Sequence, residues 1–306
     1  MGIHGFSKAF ASDGVVSLKD LKGQKLGIDA MTELYRASLG MKSINALTDN
    51  RGKSTIHINV LLAKIIELQA NEIGQIWIFD HDQRSAENDE FHNPSKIAEL
   101  IKRRNRKNDA KQKLKLFEET KNDALFSDDD DNNHADHKAS LEKQTFSVTI
   151  EMINDIKLIL NCLNIRYIES PAGYEGEQVA SVMSIVNLLD GVYSGDTDPI
   201  PFGASNLYRR NPRDKKIYKY SQHNILLQIM NQSNVKEPTI DDIRKICVIL
   251  GSDFAVKTPN IGPKTVIKKF QNVVLTNEQK SAVSQFSKPL DINIININNA
   301  DKTQFT

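Results

Sequence analysis

Two short apolar runs in the first quarter of the chain, QKLGID at 24–29 and QIWIFD at 75–80, each end on an aspartate. Continuous hydrophobicity, as opposed to alternation, predicts strands covered on both faces, as in a parallel sheet. Between them INVLLAKIIELQAN (58–71) carries apolar residues at helical spacing, so this region reads as a βαβ unit. A Lys/Arg-rich helical pattern covers 96–117. The polar stretch SDDDDNNHADHKAS (127–140) then breaks all periodicity and predicts a loop tip or an unstructured insert. A second long helix is expected over about 143–163, NIRYIES gives another short strand, and GVYSGDTD supplies a further junction between strand and acid. The polar segment 205–222 (SNLYRRNPRDKKIYKYSQ) predicts a hairpin or a surface excursion. From 239 the chain turns helical, with a tight hairpin at TPNIGPKT and a helix after it, and the closing DINIININNADKTQFT has weak strand character. The fold class that follows is α/β, with a mainly parallel central sheet flanked by helices.

Composition narrows the class. With 306 residues, 39% of them hydrophobic and 26% charged, the chain reads as a soluble globular protein with one large core or two ordinary ones. The net charge of +1 gives no overall attraction to a polyanion, so any such attraction depends on local charge. Cys162 and Cys247 lie in apolar helical context without metal or redox spacing, and both are expected to be core thiols in a reducing compartment. No run approaches the roughly 20 apolar residues of a membrane span. MGIHGFSKAF has no signal-peptide core, and Phe6 stands where an N-myristoylation motif wants Ser or Thr. An intracellular location, nuclear or cytoplasmic, is expected, with a viral replication site as a further option. No membrane partner is expected.

The chemistry is concentrated in four acidic clusters beside the apolar runs: Asp29 in LGIDA, Asp80 in WIFD, Glu175 and Glu177 in YEGE, and Asp196 and Asp198 in SGDTD. Ligands of parallel sheets bind beyond the carboxyl ends of the strands, so acids there line a site. A single such acid is more often a helix cap or a turn residue. Several together repel one another unless a cation neutralises them, and an all-oxygen donor set suits Mg2+ or Mn2+ better than Zn2+. Asp196 and Asp198 project to the same side of an extended segment; alone, the pair could equally be an Asx turn. Gly176 between the two glutamates leaves room for a close approach. Two divalent ions roughly 3.5 to 4 Å apart are the arrangement used for phosphodiester hydrolysis.

Positive charge is clustered too. Lys96, Arg103, Lys107 and Lys111 fall at spacings of seven, four and four, a column on one helix face that could bind phosphates or simply be solvated. Pro259–Thr265 turns through Gly262 into a predicted helix whose amides could bind phosphate without reading sequence, beside Lys264, Lys268 and Lys269. A plain helix connection is the alternative. Asp253, in LGSDF, could close the carboxylate cluster from the far side. His57, His81 and His92 lack ligand spacing and read as surface or structural residues.

With these residues in view, the chain resembles the flap endonuclease / XPG family of structure-specific 5' nucleases over about residues 1–270. MGIHGF is similar to the family's N-terminal MGI-G-L, and KLGIDAMTELY resembles its first acidic motif, implying Asp29 at a metal site and a stacking role for Tyr35. WIFDHD resembles VFDG and implies Asp80. The basic helix resembles the gateway helix and implies phosphate contacts by Lys96 and Arg103, with Arg104 and Lys107 beside them. YEGEQVAS resembles GEAEA and implies Glu175 and Glu177, and SGDTDPIPFGA resembles S-x-D-x-D-x-x-x-F-G and implies Asp196 and Asp198. LGSDF with NIGPKT resembles the helix-two-turn-helix region. It implies Asp253 as the last acid, DNA contacts by Gly262, Lys264, Thr265 and Lys268, and a K+ site; Gly2 is a further implied DNA contact.

What the resemblance implies is a PIN-like nuclease core, formed by 1–95 and 146–238. A basic arch with an acidic tip occupies 96–145, a helix-two-turn-helix 239–290 and a tail 291–306. The implied reaction is Mg2+-dependent cleavage of branched or flapped DNA near a junction, as flap endonuclease and 5' exonuclease, in replication or repair. Mn2+ is an expected substitute. Asp80, Glu175 and Glu177 would hold one ion, and Asp196 and Asp198 the other. Asp29 and Asp253 would act through water. A monomer is expected, and no sliding-clamp box is present, which reads as a compact member, viral or otherwise divergent. Departures are FDH for the family's Gly turn, YEGEQ without the Ala after each Glu, and the acidic run Asp128–Asp131. The first two predict an altered loop and looser helix packing. Loop 40–57 is expected to act as a wedge. Two other readings are a catalytically silent DNA scaffold and a phosphatase of the haloacid-dehalogenase type using the DTD pair.

Overall fold

Five parallel strands form the centre of the sheet in a computed structural model that describes residues 2–39, 47–52, 54–81, 94–123, 131–295 and 297–298. In chain order the strands are β1 (Gly14–Val16), β2 (Lys25–Asp29), β3 (Gly74–Phe79), β4 (Arg166–Glu169), β5 (Gly191–Tyr193), β6 (Asn206–Arg210), β7 (Ile217–Ser221) and β8 (Ile297–Asn298). The spatial order is β1-β7-β6-β5-β2-β3-β4-β8. Neighbours from β6 through β4 run parallel, whereas β7 and β1 on one edge and β8 on the other are antiparallel additions. The expected mainly parallel α/β sheet is therefore present. The 205–222 segment is the predicted hairpin, β6–β7.

The helices are α1 (Phe6–Ala9), α2 (Ala30–Leu39), α3 (Ile56–Ala70), α4 (Pro94–Asp123), α5 (Asp131–Thr145), α6 (Ile150–Cys162), α7 (Gly176–Ile185), α8 (Pro199–Phe202), α9 (Gln222–Gln232), α10 (Ile240–Leu250), α11 (Val266–Lys269) and α12 (Asn277–Phe286). Leu26, Ile28, Trp77 and Phe79 face one layer with Leu61, Ile65, Ile156 and Leu160. On the opposite face Ile78 and Val192 pack with Val179, Ala180 and Met183 of α7. Both faces are covered, which is why β2 and β3 read as continuous apolar runs. A third cluster joins α8, α10 and α12, where Phe202, Phe254 and Phe286 meet edge to face with centroids 5.1 to 6.2 Å apart.

Three expectations need correction. The stretch that lacks periodicity is helical from Asp131 onward: Asn and Asp in the register of α5 weaken propensity without forbidding a helix, and Leu141 there is buried. Asp128–Asp130 lie outside the described residues. The long helix expected over 143–163 is two helices. α5 stops at Thr145, and Thr149 restarts the chain as an N-cap whose hydroxyl accepts from the Met152 amide at 3.3 Å. Cys162 is exposed, not in the core: α6 buries the face of Met152, Ile156 and Leu160, and position 162 points away from it. Cys247 is buried as expected. No helix among the described residues is long and apolar enough to cross a membrane.

Candidate active site

The acids gather because β5, β2 and β3 are side by side and in parallel. Asp29 is the last residue of β2, Asp80 follows β3, and the Ser194–Asp198 loop follows β5. Their carboxyl ends therefore share one rim of the sheet, the rim at which open α/β sheets bind ligands. α7 adds Glu175 at its N-cap and Glu177 in its first turn.

The residue that joins them was not singled out from the sequence. Ser194 Oγ lies 2.9 Å from Asp29 Oδ2 and 2.6 Å from Glu177 Oε1, and it accepts the Asp196 amide at 3.0 Å. Its signal was its place directly after a buried strand in a polar turn. Asp80 Oδ1 accepts the Gly176 amide at 2.7 Å, so it docks on the N-terminus of α7. A side chain at Gly176 would bring a Cβ to 3.1 Å from that oxygen. The close approach that the glycine permits is that of Asp80.

Burial, and after it the charges of Asp196, Asp29 and Asp198, push the Glu177 carboxyl well above its usual range, against the pull of the Ser194 hydrogen bond. A hydroxyl carries one proton, so Ser194 cannot donate to Asp29 and Glu177 at once. The arrangement is satisfied when Glu177 keeps a proton or when a cation takes that proton's place. Hard oxygen donors crowded in this way fit Mg2+ or Mn2+. Among the described residues no three acid, imidazole or thiol groups are drawn together into a finished metal cage.

The N-terminal segment supports this rim. Ile3 donates its amide to Thr197 Oγ1 at 2.8 Å, and Thr197 donates its own to Asp196 Oδ1 at 2.7 Å. Gly2, at φ +65, is buried against Asp196 and Thr197, leaving no room for a Cβ. Gly2, an implied DNA contact, has the site's own acid loop as its neighbours.

Arg103 does not sit alone on its basic column. Its Nη2 pairs with Asp253 Oδ2 at 2.6 Å, so Asp253 meets the arch helix. Lys107 is pulled below its ordinary value by partial burial and then by Lys111, four residues along the same helix. Arg104 is exposed, and Lys96 lies in α4 with its side chain outside the described residues. Tyr35 is 42% exposed and meets Phe146 edge to face at 6.0 Å, leaving ring surface accessible. The helix expected after TPNIGPKT is short, four residues of α11 followed by a 3-10 turn, so an extended helix N-terminus is absent there. Gly262 has open space around it, and Lys264, Thr265 and Lys268 are exposed. His57 is buried with Nε2 3.0 Å from Asp155, a structural residue. His81 is exposed, and His92 and residues 40–46 of the expected wedge lie outside the described residues. The missing alanines of YEGEQ do not loosen α7, because Gln178 is buried and donates to the Lys288 carbonyl at 3.0 Å.

The XPG N-terminal domain matches residues 1–110, and the XPG I-region matches residues 164–253. The chain belongs to the flap endonuclease/XPG family. Flap endonuclease 1 of Methanocaldococcus jannaschii is 27% identical over 247 residues, covering 80% of this chain and 67% of the relative. The chain spans about two thirds of the length of the curated relatives it matches first. A solved structure of flap endonuclease-1 from Methanococcus jannaschii superposes with a TM-score of 0.61 at 20% identity, over 92% of this chain and 84% of that one. The catalytic core of Rad2 in complex with DNA substrate gives 0.62 at 18% identity, over 95% and 88%. These likenesses establish the nuclease-core fold, and membership of the XPG family removes the grounds for the phosphatase reading.

Proposed function

We propose that this protein is a structure-specific 5' nuclease that hydrolyses DNA phosphodiesters where single strand meets duplex, with 5' flaps as its substrate. The observation that carries the reading is the meeting of Asp29, Glu177 and the Asp196 loop on Ser194 at the carboxyl rim of the parallel strands. Membership of the flap endonuclease/XPG family supports it.

Divalent ions bound by such acids activate a water, order the phosphate and stabilise the leaving oxygen. Asp80, Glu175 and Glu177 are assigned to one Mg2+ and Asp196 and Asp198 to the other, with Asp29 acting through water and Mn2+ as a substitute. Ser194 keeps Asp29 and Glu177 apart at a fixed spacing, so the acids need no rearrangement when a substrate arrives. The basic face of α4 supplies the charge that lets a phosphate approach carboxylates that would otherwise repel it. Tyr35 offers a ring on which an unstacked base can rest.

The test is cleavage of a 5'-labelled flap in Mg2+, beside EDTA, a blunt duplex and the Asp196→Asn protein. A short product from the flap alone, lost with EDTA and with the substitution, is the expected result. Tight flap binding without product would overturn the proposal in favour of a silent scaffold.

A further inference from the structure

Glu175 and Glu177 stand in one short stretch, Gly173–Gln178, and residues 110 to 115 positions later hold that stretch at both ends. Lys288 Nζ donates to the Gly173 carbonyl at 2.9 Å, Tyr174 Oη donates to the Pro289 carbonyl at 2.9 Å, and Gln178 Nε2 donates to the Lys288 carbonyl at 3.0 Å. Two of these bonds lie just before Glu175 and the third just after Glu177, so two consecutive residues bracket the acid pair. The Lys288 ammonium also lies 4.2 Å from the centre of the Tyr174 ring, a cation–π contact. Gln178 is 1% exposed and its Oε1 has no hydrogen-bond partner among the described residues, so the bond to Lys288 is what offsets the burial of its amide nitrogen.

Residues 288 and 289 are themselves anchored on both sides. Lys288 follows α12, whose Phe286 meets Phe202 and Phe254 in the aromatic cluster. Beyond Pro289, Leu290 and Ile292 pack against the cluster of Val179, Ala180 and Met183, and β8 pairs with β4. The stretch they hold needs such support, because it contains two glycines in four residues, Gly173 at φ +78 and Gly176, and glycine loses the most conformational freedom on ordering.

We propose that Lys288 and Pro289 form a brace that presets Glu175 and Glu177 for a divalent cation, with Lys288, Tyr174 and Gln178 as positioning residues. Like charges in one site push a pliable backbone apart before a cation arrives. The brace resists that push through backbone carbonyls and through side chains other than the two carboxylates, so its bonds do not compete with a metal for the acid oxygens. Asp80 fixes the middle of the same stretch through the Gly176 amide, and the brace fixes its ends. The inference rests on the nuclease reading above in taking the two glutamates as metal-site acids.

The test is Mn2+ binding to the full chain, followed by the loss of the EPR signal of free Mn2+, for wild type, Lys288→Met, Tyr174→Phe, Lys288→Arg and Ser287→Ala, each checked by thermal melting in EDTA. Lys288→Met keeps the stem and removes the donor and the charge; Tyr174→Phe keeps the ring and removes the hydroxyl. Both are expected to weaken Mn2+ binding, Lys288→Met by about tenfold, the scale on which groups behind metal ligands act. Lys288→Arg retains a charged donor and should recover most of the affinity. Ser287→Ala is the control: its hydroxyl bonds to the Val283 and Ser284 carbonyls of α12, and its loss should leave Mn2+ affinity as in wild type. In metal-free Lys288→Met the Gln178 and Val179 amides, which donate to the Glu175 carbonyl, should exchange with solvent faster than in wild type. Unchanged Mn2+ affinity in Lys288→Met with a lowered melting temperature would overturn the proposal and mark a purely structural tie. So would an equal loss of affinity in Ser287→Ala. A wild type that binds Mn2+ but leaves 5' flaps uncut would remove the nuclease reading, while the order of the variants in Mn2+ affinity would still decide this one.

Discussion

Replacing Gly2 by alanine is a sharp probe of the acid loop, because two separate costs can be told apart. Gly2 has φ +65, a region that costs a residue with a Cβ about 1–2 kcal/mol. The new Cβ would also overlap Asp196 Oδ1 and stand 2.6 Å from Thr197 Oγ1 and 2.8 Å from Asp196 Cγ. Both neighbours are held: Thr197 Oγ1 by the Ile3 amide and Asp196 Oδ1 by the Thr197 amide. Relieving the overlap therefore means moving the Asp196 carboxylate by on the order of 1 Å, and a misplacement of that size costs about a hundredfold in rate. Gly23 is the control, since it has φ +81 with nothing within 4 Å of a built Cβ. In a flap cleavage assay with parallel thermal melts, both Gly2→Ala and Gly23→Ala should lose about 1–2 kcal/mol of stability. Only Gly2→Ala should lose kcat, by about a hundredfold. Wild-type turnover by Gly2→Ala, or an equal loss in Gly23→Ala, would refute the packing argument.

Ser194→Ala removes the one hydroxyl shared by Asp29, Glu177 and the Asp196 amide, and should cost about 1–3 kcal/mol in urea melts in EDTA. Mg2+ should restore part of that loss, because a cation does the same separating of charges; an identical loss with and without Mg2+ would count against the site. Thiol labelling of the native protein should modify Cys162 alone at pH 8, and raising the pH to 9 should not recruit Cys247. Burial, and after it Asp198, push the Cys247 thiol well above its usual range, so the reactive thiolate stays scarce as pH rises. Rapid labelling of both thiols in folded protein would contradict the assigned core.

Legibility from sequence followed the range of the forces involved. β2 and β3 were readable because burial on both faces acts on every residue of a strand, and the acids closing them marked the rim where the site lies. The hairpin of β6 and β7 was readable from its turn-rich polar centre, Asn211–Lys216. α5 was not, since a helix of weak propensity is held by what it packs against, here through Leu141, and a local pattern carries no record of that. Cys162 failed for a related reason: an apolar neighbourhood in sequence does not say which side of the helix faces the core. Ser194 and the Arg103–Asp253 pair were illegible as interactions, because each depends on partners 17 to 165 positions away that only the sheet order and the arch bring together.

The first residues of the chain belong to the site through contacts equally remote in sequence. Ile3 donates to Thr197 in the acid loop, and His4 donates to the Gly251 carbonyl at 2.9 Å, at the end of α10. Gly5 lies so close to Pro263 that a side chain there would run into its ring, and Phe6 anchors the segment against Phe10 and Tyr220. Four consecutive residues thus touch the acid loop, the end of α10, the hairpin and the core. Acids held close together push the rim apart in the absence of a cation, and a strap tied at both ends resists that push through hydrogen bonds that cost no charge. The two glycines, at φ +65 and +69, are the positions where the strap passes too near its neighbours to carry a side chain. Seen this way, MGIHGF is a spacing device: its pattern of small and large residues is dictated by how near Asp196 and Pro263 must come to the same short stretch of backbone.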